Sequence, residues 1–156
     1  MVIGIGYDIH KLINGRKLVL GGIHISHPKG LGGHSDGDVL LHSLCDSILG
    51  ALGEGDIGTH FPDTDSRYKG ISSLLLLEKV WDIAKRKGYQ IRNIDATVIC
   101  EKPKLVPYFP KMKKKIGSIL SLENINLKAK TNNGIGSLGR GEGIAVISVC
   151  LLEEVK

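Results

Sequence analysis

Residues 34–52 read HSDGDVLLHSLCDSILGAL, and this stretch predicts a buried helix with polar residues at its beginning. Ser35 and Asp38 have the spacing of a capping box, which favours a helix start near these residues. The residues that follow are mostly apolar, so the helix is expected to continue to about Leu52. His42 lies within this helix.

Asp8 and His10 lie upstream of the helix, at the end of the first apolar run. In an extended strand, residues two apart point to the same face, so both side chains can reach one ion. A helix docked on that face would bring His42 to the same ion. One carboxylate and two imidazoles form a ligand set for catalytic zinc, with a fourth position open to substrate. From these residues alone, a polar pair that simply faces solvent is an open alternative.

The apolar patterns on both sides predict the remaining elements. Strands are expected at residues 2–8, 17–25, 91–100, 125–130 and 143–153. Further helices are expected from Ser72 or Ser73 to Gly88 and at about 107–122. The order ββααβαββ predicts an α+β fold, in which residues 1–156 form a single-domain sandwich of a mixed β-sheet with helices on one face.

Composition places the chain among soluble proteins. Its three cysteines, Cys45, Cys100 and Cys150, lie in apolar runs without a Cys-x-x-Cys pair, which favours buried, reduced thiols in a cytoplasmic protein. The amino terminus does not resemble a signal peptide, and no apolar run reaches the roughly 18 residues of a membrane span. We therefore expect a cytoplasmic protein without a membrane partner.

The net charge of +5 is concentrated in part in the lysines between Lys111 and Lys115. Interleaved apolar residues indicate one face of an amphipathic helix there. A nucleic-acid partner is not expected, because aromatic residues make up only 4% of the chain and none lies among these lysines. A mild positive potential instead favours a small anionic substrate such as a phosphate ester.

Many of the 21 glycines gather in three loops, at residues 30–37, 53–58 and 134–143. Glycine-rich loops let backbone amides approach a phosphate closely, although turns without any ligand are an equally open interpretation. Polar side chains accompany the second and third loops: Asp56, His60, Asp63, Asp65, Lys130, Thr131, Asn132, Asn133 and Arg140. The acidic and imidazole groups of the second loop suggest ligand contacts, and the donors of the third suit phosphate oxygens. For Asn133 and Gly134, a hydrogen-bonded turn is an equally open interpretation.

Five segments resemble, in order and with compatible spacing, the 2-C-methyl-D-erythritol 2,4-cyclodiphosphate synthase family of the non-mevalonate isoprenoid pathway. They are GYDIH (6–10), LGGHSDGDVLLHSLCDSILGALGEGDIG (31–58), HFPDTD (60–65), EKPKL (101–105) and GRGEGIA (139–145). The resemblance implies a homotrimer with its sheets facing the threefold axis and active sites between subunits. It also implies one zinc ion per active site, bound by Asp8, His10 and His42, and a second divalent ion, Mg²⁺ or Mn²⁺, bound mainly by the substrate diphosphate.

The implied reaction converts 4-diphosphocytidyl-2-C-methyl-D-erythritol 2-phosphate to 2-C-methyl-D-erythritol 2,4-cyclodiphosphate. The 2-phosphate attacks the β-phosphorus, and CMP leaves. Two alternatives remain open: a zinc-dependent phosphoesterase that activates water, and a non-catalytic trimeric protein that binds diphosphates.

The resemblance also implies roles for individual residues. His34 and Thr131 would be catalytic, through stabilisation of the transition state. Substrate binding is implied for Ser35, Asp56, Ile57, Gly58, Phe61, Pro62, Asp63, Thr64, Asp65, Cys100, Pro103, Lys104, Leu105, Val106, Lys130, Asn132, Asn133 and Arg140. A cavity on the trimer axis would be lined by Ser137, Arg140 and Glu142.

Two positions depart from the family pattern. Asn133 stands where a glutamate ligand of the second metal is expected, and a neutral amide should weaken Mg²⁺ binding. Ser137 stands where a phenylalanine is expected, which makes the trimer axis less apolar. Independently of the resemblance, Asp38 and Asp46 each lie four residues from His42, so either is a candidate to orient its imidazole.

Overall fold

A five-stranded mixed sheet organises the chain in the computed structural model, which describes residues 1–156. The strands are β1 (Val2–Asn14), β2 (Leu18–Leu20), β3 (Ile23–Ile25), β4 (Lys29–Leu31), β5 (Tyr89–Ile99), β6 (Ile125–Lys130) and β7 (Gly143–Glu154). The main sheet has the order β4-β1-β7-β5-β6, and β2 pairs with β3 as a separate hairpin. Only β5 and β6 are parallel neighbours, so the sheet is mixed, as predicted.

Helices connect the strands. They are α1 (Val39–Ala51), α2 (Ile57–His60), α3 (Ser73–Arg86), α4 (Phe109–Leu120) and α5 (Gly136–Gly139), with single 3₁₀ turns at Ser66–Tyr68 and Val106–Tyr108. Helix α1 packs on β1 and β7, α3 packs on α1 and α4, and α4 packs on β6. This arrangement of helices and a mixed sheet confirms the predicted α+β class.

The alternation of side chains along β1 separates the two faces of the sheet. Gly4 and Gly6 are buried on the face that the helices cover. Ile3 and Ile5 point the other way, and they are 69% and 70% exposed. Because side chains in a strand alternate strictly, Asp8 and His10 continue the row of Gly4 and Gly6 on the helix-covered face.

Helix α1 lies directly against β1 because the strand has glycines where the helix crosses it. A Cβ at Gly4 would lie 1.9 Å from the carbonyl oxygen of Ser47, and one at Gly6 would lie 1.9 Å from that of Ser43. The Ser43 hydroxyl also forms a buried hydrogen bond of 2.7 Å with Ser148 of β7. These contacts fix the position of the helix along the sheet, and with it the position of His42.

Two sequence-based boundaries were wrong. The predicted strand at 17–25 is a β2–β3 hairpin, because Gly21 and Gly22 take positive φ angles of 58° and 72° at its middle.

Ser35 is not the residue that caps α1. Asp38 is the N-cap, and its carboxylate accepts a hydrogen bond of 3.1 Å from the Leu41 amide.

Most of the other predicted boundaries are accurate to within a few residues. Ser72 caps α3, and its side chain accepts a hydrogen bond from the Leu74 amide. Strand β1 is longer than expected and extends through the metal-ligand region to Asn14. Met112 and Ile116 are buried on the inner face of α4, as the amphipathic pattern predicted.

A single cluster of 33 buried apolar residues forms the core between the sheet and the helices. Cys45, Cys100 and Cys150 are all buried and unpaired, which confirms the expectation of buried free thiols. None of the helices has both the length and the apolar character that crossing a bilayer requires.

The close approach of α1 to β1 can be tested with Gly6→Ala. The added methyl group would lie 1.9 Å from the Ser43 carbonyl oxygen, so the helix must move outward. We expect the free energy of unfolding, measured by denaturant titration, to fall by about 1–3 kcal/mol.

Gly50→Ala is the control on the other side of this contact, because Gly50 lies in α1 and its Cβ would be at an ordinary distance of 3.7 Å from the carbonyl oxygen of Ile5 in β1. Alanine is favoured over glycine within a helix, so this variant should be about 0.5–1 kcal/mol more stable than the parent protein. Equal stability of Gly6→Ala and the parent protein would contradict the proposed packing constraint.

Candidate metal centre and substrate cavity

Three side chains converge where β1 passes the first half of α1. Asp8 and His10 come from the strand and His42 comes from the helix, and their ligand atoms all lie within 4.8 Å of one another. Asp8 Oδ2 lies 3.1 Å from the Nδ1 atoms of both imidazoles. The predicted cluster is therefore brought together, and its two nitrogens and one oxygen suit a tetrahedral zinc ion with one free position.

The electrostatics of the cluster fit a cation. Burial alone would raise the pKa of Asp8, but its close polar contacts and charge interactions with His10 and His42 outweigh this effect and lower the pKa. Burial alone would lower the pKa of His42, but the hydrogen bond and charge of Asp8 outweigh it and raise the pKa. The carboxylate thus favours positive charge at this point.

His10 provides an independent indication. Its Nδ1 atom is buried and, although it lies 3.1 Å from Asp8 Oδ2, it has no hydrogen-bond partner of acceptable geometry. A buried nitrogen without a partner is costly, and coordination to a metal ion would satisfy it. The residues present therefore fit the ion that the ligand set predicts.

The proposed partners of His42 on its own helix were wrong. The Asp38 carboxylate accepts hydrogen bonds from the backbone amides of Gly21, Gly22 and Leu41. The Asp46 carboxylate accepts one from the backbone amide of Ile57. Burial raises the pKa of Asp38 to about 6, with the Asp36 charge adding to the rise and the backbone hydrogen bonds opposing it. Neither side chain makes a hydrogen bond with His42.

Two serines contact His42 instead. Its Nε2 atom lies 2.9 Å from Ser73 Oγ and 3.1 Å from Ser35 Oγ. Ser73 begins α3 and is 31 residues from His42, so no local spacing in the sequence indicated this contact. Arg16 is a second residue that sequence reasoning missed, and its guanidinium donates to the carbonyl oxygens of Gly33 and Ser35.

A cavity of about 490 Å³ opens beside His10 and His42. It brings together eight residues of the predicted substrate and catalytic set: His34, Ser35, Ile57, Gly58, Phe61, Pro62, Asp63 and Thr64. Tyr68, Ile71 and Leu76 also line it and were not predicted. The cavity thus combines two of the metal-ligand histidines with residues from 33–35, 57–64 and 68–76, and it has room for a ligand next to the metal-ligand cluster.

A second cavity, of about 380 Å³, contains most of the predicted residues from the second half of the chain. Its lining includes Cys100, Pro103, Lys104, Leu105, Val106, Lys130 and Thr131. It shares no lining residue with the cavity beside the metal ligands. A single chain therefore presents the two groups of predicted residues in two separate cavities.

The remaining predicted residues line neither cavity. Asp56 caps α2 and accepts hydrogen bonds from Thr59, while Asp65 pairs with Arg67. Asn132 and Asn133 lie in the turn after β6, where the Asn132 amide donates to Glu101.

The residues predicted at the trimer axis are exposed. Arg140 Nε lies 2.9 Å from Glu142 Oε1, and Ser137 lies in α5. This ion pair holds the two charged side chains together at the surface.

Comparison with known proteins places this geometry in a family. The profile of the YgbB family matches residues 1–153. The chain belongs to the YgbB family. A relative from Clostridium acetobutylicum, named 2-C-methyl-D-erythritol 2,4-cyclodiphosphate synthase, is 56% identical over 154 residues, which cover 97% of this chain and 99% of the relative.

Two solved structures have the same fold as this YgbB family member. The bifunctional IspDF from Campylobacter jejuni matches with a TM-score of 0.95 and 42% identity, over 99% of this chain. This chain spans only 42% of that bifunctional chain. IspF from Plasmodium falciparum, described as a CDP complex, matches with a TM-score of 0.87 and 36% identity, over 99% of this chain and 97% of its own.

Metal binding can be measured on the purified protein after treatment with a chelator. We expect one zinc ion per chain by calorimetric titration. His10→Ala should lower the affinity by more than the ~10- to 100-fold typical of an indirect partner, because a direct ligand is lost. His24→Ala, which removes an exposed imidazole of β3, serves as the control. Equal zinc affinity of these two variants would exclude this site.

Proposed function

We propose that this chain catalyses the reaction for which its relatives are named, the formation of 2-C-methyl-D-erythritol 2,4-cyclodiphosphate. The convergence of Asp8, His10 and His42 at a cavity lined by His34 and Ser35 is the observation that carries the proposal. The substrate would be the 2-phosphate of 4-diphosphocytidyl-2-C-methyl-D-erythritol, and residues 1–156 would form one catalytic domain.

The reaction is an internal substitution at phosphorus. An oxygen of the 2-phosphate forms a bond to the β-phosphorus, while the bond between that phosphorus and the oxygen bridging to the α-phosphate breaks. CMP leaves with the bridging oxygen, and no water is consumed. The protein must hold both ends of one flexible substrate in line, and such positioning supplies much of the acceleration in phosphoryl transfer.

Asp8, His10 and His42 would hold a zinc ion, which when bound would supply charge withdrawal from the β-phosphate. His34 and Ser35 precede α1 and can donate hydrogen bonds to phosphate oxygens, in the region where the helix dipole favours negative charge. His34 and Thr131 would stabilise the transition state. These two residues line different cavities of one chain.

That separation supports a homotrimer in which neighbouring subunits complete each active site. In this arrangement, the cavity around Cys100 to Val106 of one subunit would hold the cytosine, next to the metal cavity of another. The apolar side chains of Ile3, Ile5, Tyr7 and Ile9 cover the outer face of β1 at 45–70% exposure. A contiguous apolar sheet face of this kind is typical of a surface buried by another subunit. Arg140 and Glu142 would then lie near the threefold axis, with Ser137.

A second divalent ion, Mg²⁺ or Mn²⁺, would be held mainly by the substrate diphosphate. Asn133 has a positive φ of 52°, and its Oδ1 atom accepts a hydrogen bond of 3.2 Å from Thr131. Asparagine tolerates this backbone conformation better than most residues, but it offers no negative charge to a metal. The protein would therefore contribute less to this ion than the family pattern implies.

The reaction can be tested with the cytidyl substrate by phosphorus NMR and CMP release, with and without a zinc chelator. We expect the cyclic diphosphate and CMP in equal amounts, and loss of turnover on the order of 10²-fold or more in His42→Ala, because charge stabilisation at the β-phosphate is lost. His24→Ala should react like the parent protein. A linear phosphate product would instead indicate the zinc phosphoesterase, and binding without turnover would indicate the diphosphate-binding protein.

Assembly can be tested by analytical ultracentrifugation of Ile5→Glu. A carboxylate buried in the centre of an apolar interface is strongly unfavourable, so we expect monomers and a matching loss of turnover. Leu75→Glu introduces the same charge at a 48% exposed position of α3 and should remain trimeric. A trimer of unchanged stability in Ile5→Glu would show that another surface forms the interface.

A further inference from the structure

A chain of hydrogen bonds runs behind the candidate metal centre, from His42 through Ser73 to Asp36. His42 Nε2 lies 2.9 Å from Ser73 Oγ, and Ser73 Oγ lies 2.5 Å from Asp36 Oδ1. Ser73 is completely buried, and His42 is 8% exposed. Water therefore has little access to these contacts, and the polar atoms depend on one another for hydrogen bonds.

The directions of the hydrogen bonds follow from a count of hydrogens. A carboxylate can only accept, so the Ser73 hydroxyl donates its single hydrogen to Asp36. Toward His42, Ser73 Oγ can then only accept, which requires a hydrogen on Nε2. With a metal ion bound, the imidazole is neutral and carries this one hydrogen, so Nδ1 would offer its lone pair to the ion in place of the hydrogen bond that it makes with Asp8. Nδ1 is the atom that faces Asp8 in the metal-ligand cluster, at 3.1 Å.

Ser35 is the more distant of the two serine acceptors. Its Oγ atom is 3.1 Å from His42 Nε2, against 2.9 Å for Ser73 Oγ, and it also accepts a hydrogen bond of 3.2 Å from the Gly37 amide. Its hydroxyl hydrogen cannot be donated to a nitrogen that already carries one, so toward His42 the Ser35 hydroxyl can act only as a second acceptor.

Asp36 is itself held firmly between two segments. Its Oδ2 atom accepts from the Ser73 amide at 3.0 Å, and its Oδ1 atom also accepts from the Asp38 amide at 3.1 Å. The Asp36 amide donates to the carbonyl oxygen of Ile71. These contacts join the loop before α1 to the start of α3, so the acceptor for His42 has a fixed position.

We propose that Asp36 and Ser73 are positioning residues that hold His42 with its hydrogen on Nε2, and so present Nδ1 to the metal ion. This inference rests on the proposed metal centre at Asp8, His10 and His42. Neither residue would touch the substrate. Partners of this kind fix the orientation of a ligating histidine and strengthen its metal binding, and their loss typically costs ~10- to 100-fold in metal affinity.

The test compares Ser73→Ala with Ser72→Ala, which removes the neighbouring serine of the same helix start. Ser72 caps α3 through the Leu74 amide and does not contact His42, so its loss reports only on the helix. We expect zinc affinity, measured by competition with a chelator, to fall ~10- to 100-fold in Ser73→Ala and to stay unchanged in Ser72→Ala. Ser73→Thr, which keeps the hydroxyl, should recover most of the affinity.

A second measurement detects the hydrogen on His42 Nε2 directly, by NMR. In zinc-loaded protein labelled with ¹⁵N, the His42 Nε2–H should give a ring resonance that is protected from exchange with water. We expect this protection in the parent protein, in Ser72→Ala and in Ser73→Thr, and its loss in Ser73→Ala. The resonance belongs to His42 alone, so it also tests the positioning role if Ser73→Ala proves too unstable for titration. In that case, Ser73→Thr is compared with Ser73→Cys, in which the thiol is a weaker acceptor and the protection should be lower.

The outcomes separate this inference from the metal centre. If the parent protein binds zinc through His42 but Ser73→Ala has the same affinity and the same protected resonance, the positioning role is excluded and the metal centre stands. If the parent protein binds no zinc at these residues, the metal centre and the positioning role are both excluded.

Discussion

The contact between the backbone of α1 and the glycines of β1 determines where the metal centre can form. Gly4 and Gly6 leave no room for a Cβ atom, because the carbonyl oxygens of Ser47 and Ser43 occupy that space. The same row of the strand continues into Asp8 and His10, while His42 immediately precedes Ser43 on the helix. Small residues thus bring two backbones together, and the larger polar residues that follow in the same row meet in the gap that opens beyond them.

The metal-ligand cluster is partly open to solvent. The side chains of Asp8, His10 and His42 are 24%, 17% and 11% exposed. They lie beside the loop before α1, which Arg16 and Asp36 hold in place through its backbone. The metal-ligand cluster therefore has a hydrogen-bonded loop on one side and the cavity on the other, an arrangement that leaves one side open to a ligand.

The metal centre could be predicted from the sequence because its residues follow local rules. Asp8 and His10 share a face through the two-residue period of a strand, and the apolar pattern around His42 identifies its helix. The partners of His42 could not be predicted in the same way. Spacing along α1 favoured Asp38 and Asp46, but both carboxylates bind backbone amides, and the actual contact comes from Ser73 in another helix.

Boundaries set by backbone conformation were likewise only partly predictable. Gly21 and Gly22 interrupt an apolar run that otherwise has the composition of one strand, and their positive φ angles convert it into a hairpin. The fold class survived this error because β2 and β3 lie outside the main sheet. The order and pairing of the five main strands depend on long-range contacts, which no local pattern specifies.

The turn after β6 illustrates a conflict between backbone and chemistry. Asn133 and Gly134 both have positive φ angles, of 52° and 73°, so the chain reverses through two consecutive left-handed residues. Asparagine and glycine suit this conformation, whereas a glutamate at position 133 would be strained by an amount on the order of 1 kcal/mol. The turn is thus well formed without a ligand, and the charge that a glutamate would bring is lost. Under the proposed function, a second cation near Thr131 would then depend on the phosphates of the substrate, and ion and substrate would bind together.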